Sequence, residues 1–414
     1  MPEPPQKKKN WAKKQWRTLK CRWRTLKCRI RRQLMCRATV IAVTGSCGKT
    51  STVHFLGRIL SDLDECRTGV LFNCQDAMLR TLRGVNRSHR FVIQEAGVDG
   101  PGYMETILPV LRPNIGIVTS IGQDHYRKFR TLEATAAEKR KLVEFLPPSG
   151  FAVLNADDPH VMAMASVTRA RVLSYGLSEG ADVRGSDISS AWPGRLSMTI
   201  TYRGQSVRIM TGLFGNLLAT SLLAAVCGAV AAGVELGHCT DSLRSVESFP
   251  IRMSVHRSSR GAWYILDTAK APYWSVGKVL DQMKDVVAPR KTVVFGSFSD
   301  TPGSSSEKYR KKAKEALEVV DRVFLVGRNA MHIRKMLDSE AYGRLFMMES
   351  IQDAARLLSE DVVPDEVILI KSGKLEHAER LYFSQQSRLN CWKPVCEVVV
   401  SCEHCKESGL LKGK

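Results

Sequence analysis

The residues best suited to chemistry lie in one short stretch, Thr44-Gly45-Ser46-Cys47-Gly48-Lys49-Thr50-Ser51. Two glycines let the backbone turn tightly, so that successive N–H groups point at one anionic group. Lys49 adds a full positive charge, and the Thr50 hydroxyl is placed to bind Mg²⁺. The common nucleotide loop, G-x-x-x-x-G-K-[ST], would need glycine at position 43, where this chain has Val43. The loop here is the shorter T-G-x-x-G-K-T. An apolar β-branched run, Val40-Ile41-Ala42-Val43, enters it, and Val53, Leu56, Ile59 and Leu60 follow at helical spacing. The reading is strand, phosphate-cradling loop, helix N-terminus.

Further polar groups arrive at the ends of apolar runs. Phe91-Val92-Ile93 delivers Glu95, and Ile115-Gly116-Ile117-Val118 delivers Asp124 and His125. Glu138-Lys139-Arg140-Lys141 sits in a helical segment, where Lys139 reads either as a site residue or as a solvated helix charge. Phe151-Ala152-Val153-Leu154 leads to Asn155, Asp157 and Asp158. Carboxyl ends of strands are where open α/β sheets bind ligands. Alternating strand and helix patterns predict an α/β fold with a mainly parallel sheet.

The order of these pieces resembles the Mur ligase family of ATP-dependent amide ligases. The shared features are T-G-x-x-G-K-T, a strand ending in E-x-G with a nearby Pro-Gly, T-[SN]-I-G-x-D-H, a lysine fourteen residues after the histidine, and V-L-N-x-D-D. The pattern is most similar to the branch that adds D-Ala-D-Ala to the peptidoglycan precursor. The resemblance implies that residues 44–51 bind ATP and that Lys49 meets its β/γ-phosphates. It implies a first Mg²⁺ on Thr50 and Glu95 and a second on His125, with Lys139 as the family lysine that is often carbamylated. A carbamate turns an ammonium into a carboxylate-like metal ligand. Arg252 corresponds to the arginine that reaches the γ-phosphate, Asp267 to an aspartate that helps place ATP, and Asn216 stands beside the family's adenine segment. Phe214 and Gly215 depart from the family's His and Asn in that segment. Lys49, Lys139, His125 and Arg252 are the implied catalytic set.

Four segments are expected: a basic arm over 1–37, a P-loop parallel-sheet central domain over 38–246, a Rossmann-like C-terminal ligase domain over 247–385, and a Cys-rich tail over 386–414. Family members of this build carry the ligase engine without a UDP-sugar-binding domain, as folylpolyglutamate synthase does. The implied substrates are ATP, a small-molecule or peptide carboxylate, and an amine or amino acid. A rival reading from another class is a P-loop ATPase scaffold that regulates a membrane or nucleic-acid complex.

The chain has 414 residues and a net charge of +21. Fourteen Lys and Arg residues precede Ala38, opposed only by Glu3, so +13 of that charge is local. The arm repeats W-R-T-L-K-C-R, at Trp16 and again at Trp23. The seven-residue period puts Trp16, Leu19, Trp23, Leu26 and Ile30 on one helical face. A basic helix with such a stripe suits an anionic membrane surface. It also suits a nucleic-acid backbone, or a merely solvated tail, but the Trp/Leu stripe favours the membrane. Residues 212–234 carry no charge. That length would cross a bilayer, but Asn216, Thr220 and Ser221 argue for a buried helix. Twelve cysteines without a secretory signal read as free thiols in a reducing cytoplasmic compartment. Cys391, Cys396, Cys402 and Cys405, spaced C-x4-C-x5-C-x2-C, form either a structural Zn²⁺ site or ordinary thiols.

Overall fold

The computed structural model describes Trp23, residues 25–28, Arg32, and residues 37–70, 75–123, 126–299, 304–337, 343–396, 398 and 401–410. Two compact units emerge. One gathers Met1–Gly185, Ile200–Val207 and Thr220–Leu243, and the other Ser186–Thr199, Arg208–Ala219 and Arg244–Lys414.

The first unit alternates strand and helix in the expected order. Its elements are β1 (Thr39–Thr44), α1 (Lys49–Ser61), β2 (Cys66–Gly69), α2 (Gln75–Arg83), β3 (Phe91–Glu95), α3 (Tyr103–Leu111), β4 (Ile115–Val118), α4 (Leu132–Phe145), β5 (Phe151–Asn155) and β6 (Arg171–Gly176). The strands run parallel in the order β2-β3-β1-β4-β5-β6. Parallel strands are covered on both faces, which is why β1, β3 and β4 read as continuous apolar runs and are wholly buried apart from Thr39. After β3 the chain crosses to the other side of β1. The carboxyl ends of β1, β3 and β4 therefore meet at a topological switch point, the place where such sheets bind ligands. β7 (Val183–Ser189) pairs parallel with β6, and β8 (Ser197–Tyr202) and β9 (Gln205–Met210) complete nine strands. The charge-free stretch becomes α5 (Ala219–Ala231), whose residues from Leu222 to Cys227 are wholly buried. Among the described residues no helix is long and apolar enough to cross a membrane.

The end of the arm is stitched into this unit. Cys28 lies in the core, with its thiol toward the Leu79 carbonyl. Arg32 donates to the Leu111 and Arg112 carbonyls (3.0 and 2.9 Å) and so caps the C-terminus of α3, where a cation is favoured. Trp16, Leu19 and Ile30 of the apolar stripe lie outside the described residues.

In the second unit, β10 (Ser254–Arg257), β11 (Trp263–Asp267), α6 (Tyr273–Leu280), β12 (Lys291–Phe295), α7 (Ser305–Leu317), β13 (Arg322–Val326), β14 (Leu345–Met348), α8 (Ile351–Glu360) and β15 (Val367–Lys371) build a six-stranded sheet. Its order is β10-β11-β15-β12-β13-β14, parallel except for β10. Tyr264, Leu266, Val294, Phe324, Ile368 and Ile370 supply one face of its core.

Candidate active site

The loop after β1 has the shape its glycines imply. Gly45 and Gly48 have φ of 141° and 83°, values that side chains rarely tolerate. A Cβ on Gly45 would also fall 1.9 Å from Thr119 Oγ1. The segment after β4 clamps the loop: Ser46 N–H donates to the Ser120 carbonyl (2.8 Å), Cys47 N–H to Ser120 Oγ (3.1 Å), and Gly122 N–H to Ser46 Oγ (2.9 Å). The clamp is itself braced. Asn155 donates to the Thr119 carbonyl (2.8 Å), and Asp158 accepts from Ile121 N–H (2.7 Å). Asn155 and Asp158, which the sequence places at a strand end, thus position the loop.

Gly48 starts α1, and no side chain caps the helix there. Its N-terminus presents the positive end of the helix dipole to an anion. Lys49 Nζ folds back to the Gly45 carbonyl (2.7 Å), holding its charge over the loop. Thr50 Oγ1 and Glu95 Oε2 lie 3.0 Å apart, both buried. Adjacent oxygens around an octahedral Mg²⁺ are about 3 Å apart, so this pair fits two corners of its shell. His125 lies outside the described residues.

The helix run that carries Lys139 divides between faces. Lys139 has no exposed surface, so the solvated-charge reading is excluded. Arg140 faces outward and pairs with Glu144 at 2.9 Å. Glu138 has a role that sequence reasoning missed. Its carboxylate accepts from Gly102 N–H (2.9 Å) and Met104 N–H (2.7 Å), capping α3 in place of a local side chain. Burial opposes its charge, but the Lys141 ammonium and these two donors outweigh burial and hold its carboxyl below the usual range. The available signal was Gly102 at the start of α3 with no Ser, Thr or Asp to cap it.

In the second unit, Asn216 is exposed and opens a short 3₁₀ turn, Asn216–Leu218. Phe214 is buried edge-on against Trp192, with centroids 5.3 Å apart. The position where the family has a polar histidine is therefore core in this chain. Asp267 ends β11 in a buried ion pair with Lys371 Nζ (2.6 Å), which also donates to the Lys270 carbonyl (2.8 Å). Arg252 has a buried Nε without a hydrogen-bond partner. Burial and then the nearby Arg252 push the Lys374 ammonium below its ordinary pKa. Two cations held close together, one with an unused donor, suit an anionic ligand. The four tail cysteines are free thiols lining one pocket, together with His377 and Arg380.

A phosphate-cradling loop at the switch point of a parallel sheet defines an α/β nucleotide-binding protein. Comparison with known proteins narrows this. Residues 43–229 match the Mur ligase middle domain, and residues 251–373 match the Mur ligase glutamate ligase domain. The chain belongs to the Mur ligase family and is an ATP-dependent amide-forming ligase. It is 27% identical over 362 residues to UDP-N-acetylmuramoyl-tripeptide–D-alanyl-D-alanine ligase of Mycobacterium tuberculosis, covering 81% of this chain and 70% of that one. It is 25% identical over 346 residues to UDP-N-acetylmuramoylalanine–D-glutamate ligase of Pelotomaculum thermopropionicum, with 81% and 70% covered. The fold matches MurF ligase of Thermotoga maritima in complex with ADP, at a TM-score of 0.77 and 19% identity, over 88% of this chain and 84% of that one.

Proposed function

We propose that the chain joins a peptide or small-molecule carboxylate to an amine through an acyl phosphate. A carboxylate oxygen attacks the γ-phosphorus of ATP and ADP leaves. The amine nitrogen then attacks the acyl carbon, phosphate leaves, and the nitrogen loses a proton. The 44–51 loop binds the phosphates through its amides and the α1 N-terminus, and Lys49 and Arg252 neutralise charge on the transferred group. Asp267 and Asn216 orient the nucleotide. Thr50, Glu95, His125 and a carbamylated Lys139 would hold Mg²⁺, which supplies Lewis-acid neutralisation of phosphoryl oxygens. The carbamate forms when the Lys139 amine adds to CO₂ and releases a proton.

The observation that carries this reading is the buried Thr50–Glu95 pair at the head of α1, beside Lys49. Glu95→Gln keeps the shape and a hydrogen-bond acceptor but removes the charge. The Mg²⁺ concentration for half-maximal ADP release should rise about tenfold or more. An unchanged Mg²⁺ requirement would remove Glu95 from the metal site.

The arm adds a second reading, that it holds the enzyme on an anionic membrane. Trp23 and Leu26 are 62% and 55% exposed, and Lys27 Nζ lies 3.9 Å from the Trp23 ring centre. Basic groups near such a surface contribute on the order of 1 kcal/mol each, and buried Trp adds an apolar share. Replacing Trp16 and Trp23 by Ser should weaken co-sedimentation with anionic vesicles even at low salt. Full retention would leave charge alone in control. A steeply salt-dependent shift of nucleic acid without vesicle binding would assign the arm to phosphodiester backbones.

A further inference from the structure

We propose that Cys391, Cys396, Cys402 and Cys405 bind one Zn²⁺ as a tetrathiolate, and that this ion fastens the tail onto the second unit. The site lies outside the ligase machinery. Its four thiols are free and line a single pocket. The C-x2-C pair brackets one 3₁₀ turn, Cys402–His404, with Cys402 opening it and Cys405 capping its end, so that one short turn carries both thiols.

The backbone around these thiols is pinned to the segment after β15. Cys396 N–H donates to the Leu375 carbonyl (2.9 Å), and Cys402 N–H to Glu379 Oε1 (3.3 Å). Cys405 N–H donates to the Cys402 carbonyl (3.2 Å). Arg380, itself buried, donates to the carbonyls of Cys391 (3.2 Å) and Lys393 (2.8 Å). Apolar packing of the tail is sparse, with Trp392 partly buried against the core of the second unit. Beyond Leu381, Leu389 and Cys402 are the buried apolar residues among those described. A segment with so small a core needs a staple, and a metal is the staple its composition offers.

A rival donor set lies beside the thiols. His377, Glu379 and Cys402 bring their ligand atoms within 4.8 Å of one another. Those atoms are already engaged. His377 Nε2 donates to the Val398 carbonyl (3.1 Å), and Nδ1 lies 2.7 Å from Glu379 Oε1. Glu379 Oε2 accepts from the Thr268 hydroxyl (3.0 Å), next to Asp267. The imidazole and carboxylate are committed to these bonds, and Glu379 seats the Cys402 backbone as a positioning residue.

The test is the metal content of the full chain expressed with zinc present. We expect about one zinc per chain in the wild type, in Cys66→Ser and in Glu379→Gln, and its loss in Cys391→Ser and Cys405→Ser. Cobalt in its place should show thiolate charge-transfer absorption and the d–d bands of a tetrahedral site. If the cysteine variants do not fold, mercurial titration of the wild type decides, with zinc release tracking modification of about four thiols. A wild type without zinc, zinc release unrelated to thiol modification, or zinc kept in a Cys391→Ser/Cys405→Ser double variant would overturn the site. Zinc lost in Glu379→Gln but kept in Cys391→Ser would overturn it in favour of the histidine–glutamate set.

Discussion

Lys49→Ala should abolish ADP release, by about a thousandfold or more, and leave the fold standing. The ammonium sits at the first turn of α1, bonded to the Gly45 carbonyl of its own loop. Removing it leaves β1, the glycine turns and the Ser46–Ser120 clamp in place. Alanine is a good helix former, so the stability lost is that of one hydrogen bond, about 1 kcal/mol. The charge that would meet the transferring phosphoryl group is lost entirely. Turnover and thermal unfolding measured on the same preparation separate the outcomes. Retained ADP release would take the loop out of the chemistry, whereas a collapsed melting transition would make Lys49 structural.

Lys139→Ala should lose about a hundredfold or more in turnover and recover part of it with added formate or acetate. Lys139 projects from α4 with no exposed surface, next to Glu138, which is committed to capping α3. An ammonium taken fully out of water is costly. A carbamate makes the same atoms an oxygen donor for Mg²⁺. The alanine variant leaves space in which a small carboxylate can supply that oxygen. Unchanged turnover in Lys139→Ala would reject the assignment. Loss without any rescue would count against the carbamate.

Lys49 and Lys139 differ in how far the sequence reveals their setting. The strand–loop–helix around Lys49 is contiguous, so its chemistry and geometry are read from neighbouring letters. The parallel strands were legible for a related reason. Burial on both faces makes Val40–Val43, Phe91–Ile93 and Ile115–Val118 apolar throughout. The face of α4 was not legible. Glu138, Lys139, Arg140 and Lys141 form one charged run, and the packing of α4, rather than its composition, decides which of them is buried. Glu138 caps Gly102 and Met104 from 36 and 34 residues away, a distance no local pattern encodes. Phe214 illustrates a third case. Its departure from the family's histidine was visible, but its reason, an edge-on contact with Trp192, required the fold.

ATP hydrolysis by this chain is tied to joining a carboxylate to an amine. The most direct measurement is ADP release by the full-length chain with ATP and Mg²⁺, across a matrix of carboxylate peptides and amines. UDP-N-acetylmuramoyl-tripeptide with D-alanyl-D-alanine belongs in that matrix, and hydroxylamine serves as a trap. ADP should appear in steady state only when a carboxylate and an amine are both present. Hydroxylamine in place of the amine should give a hydroxamate in step with ADP. ADP released at the same rate with neither substrate, and no hydroxamate, would contradict that coupling and leave an ATPase without ligase chemistry.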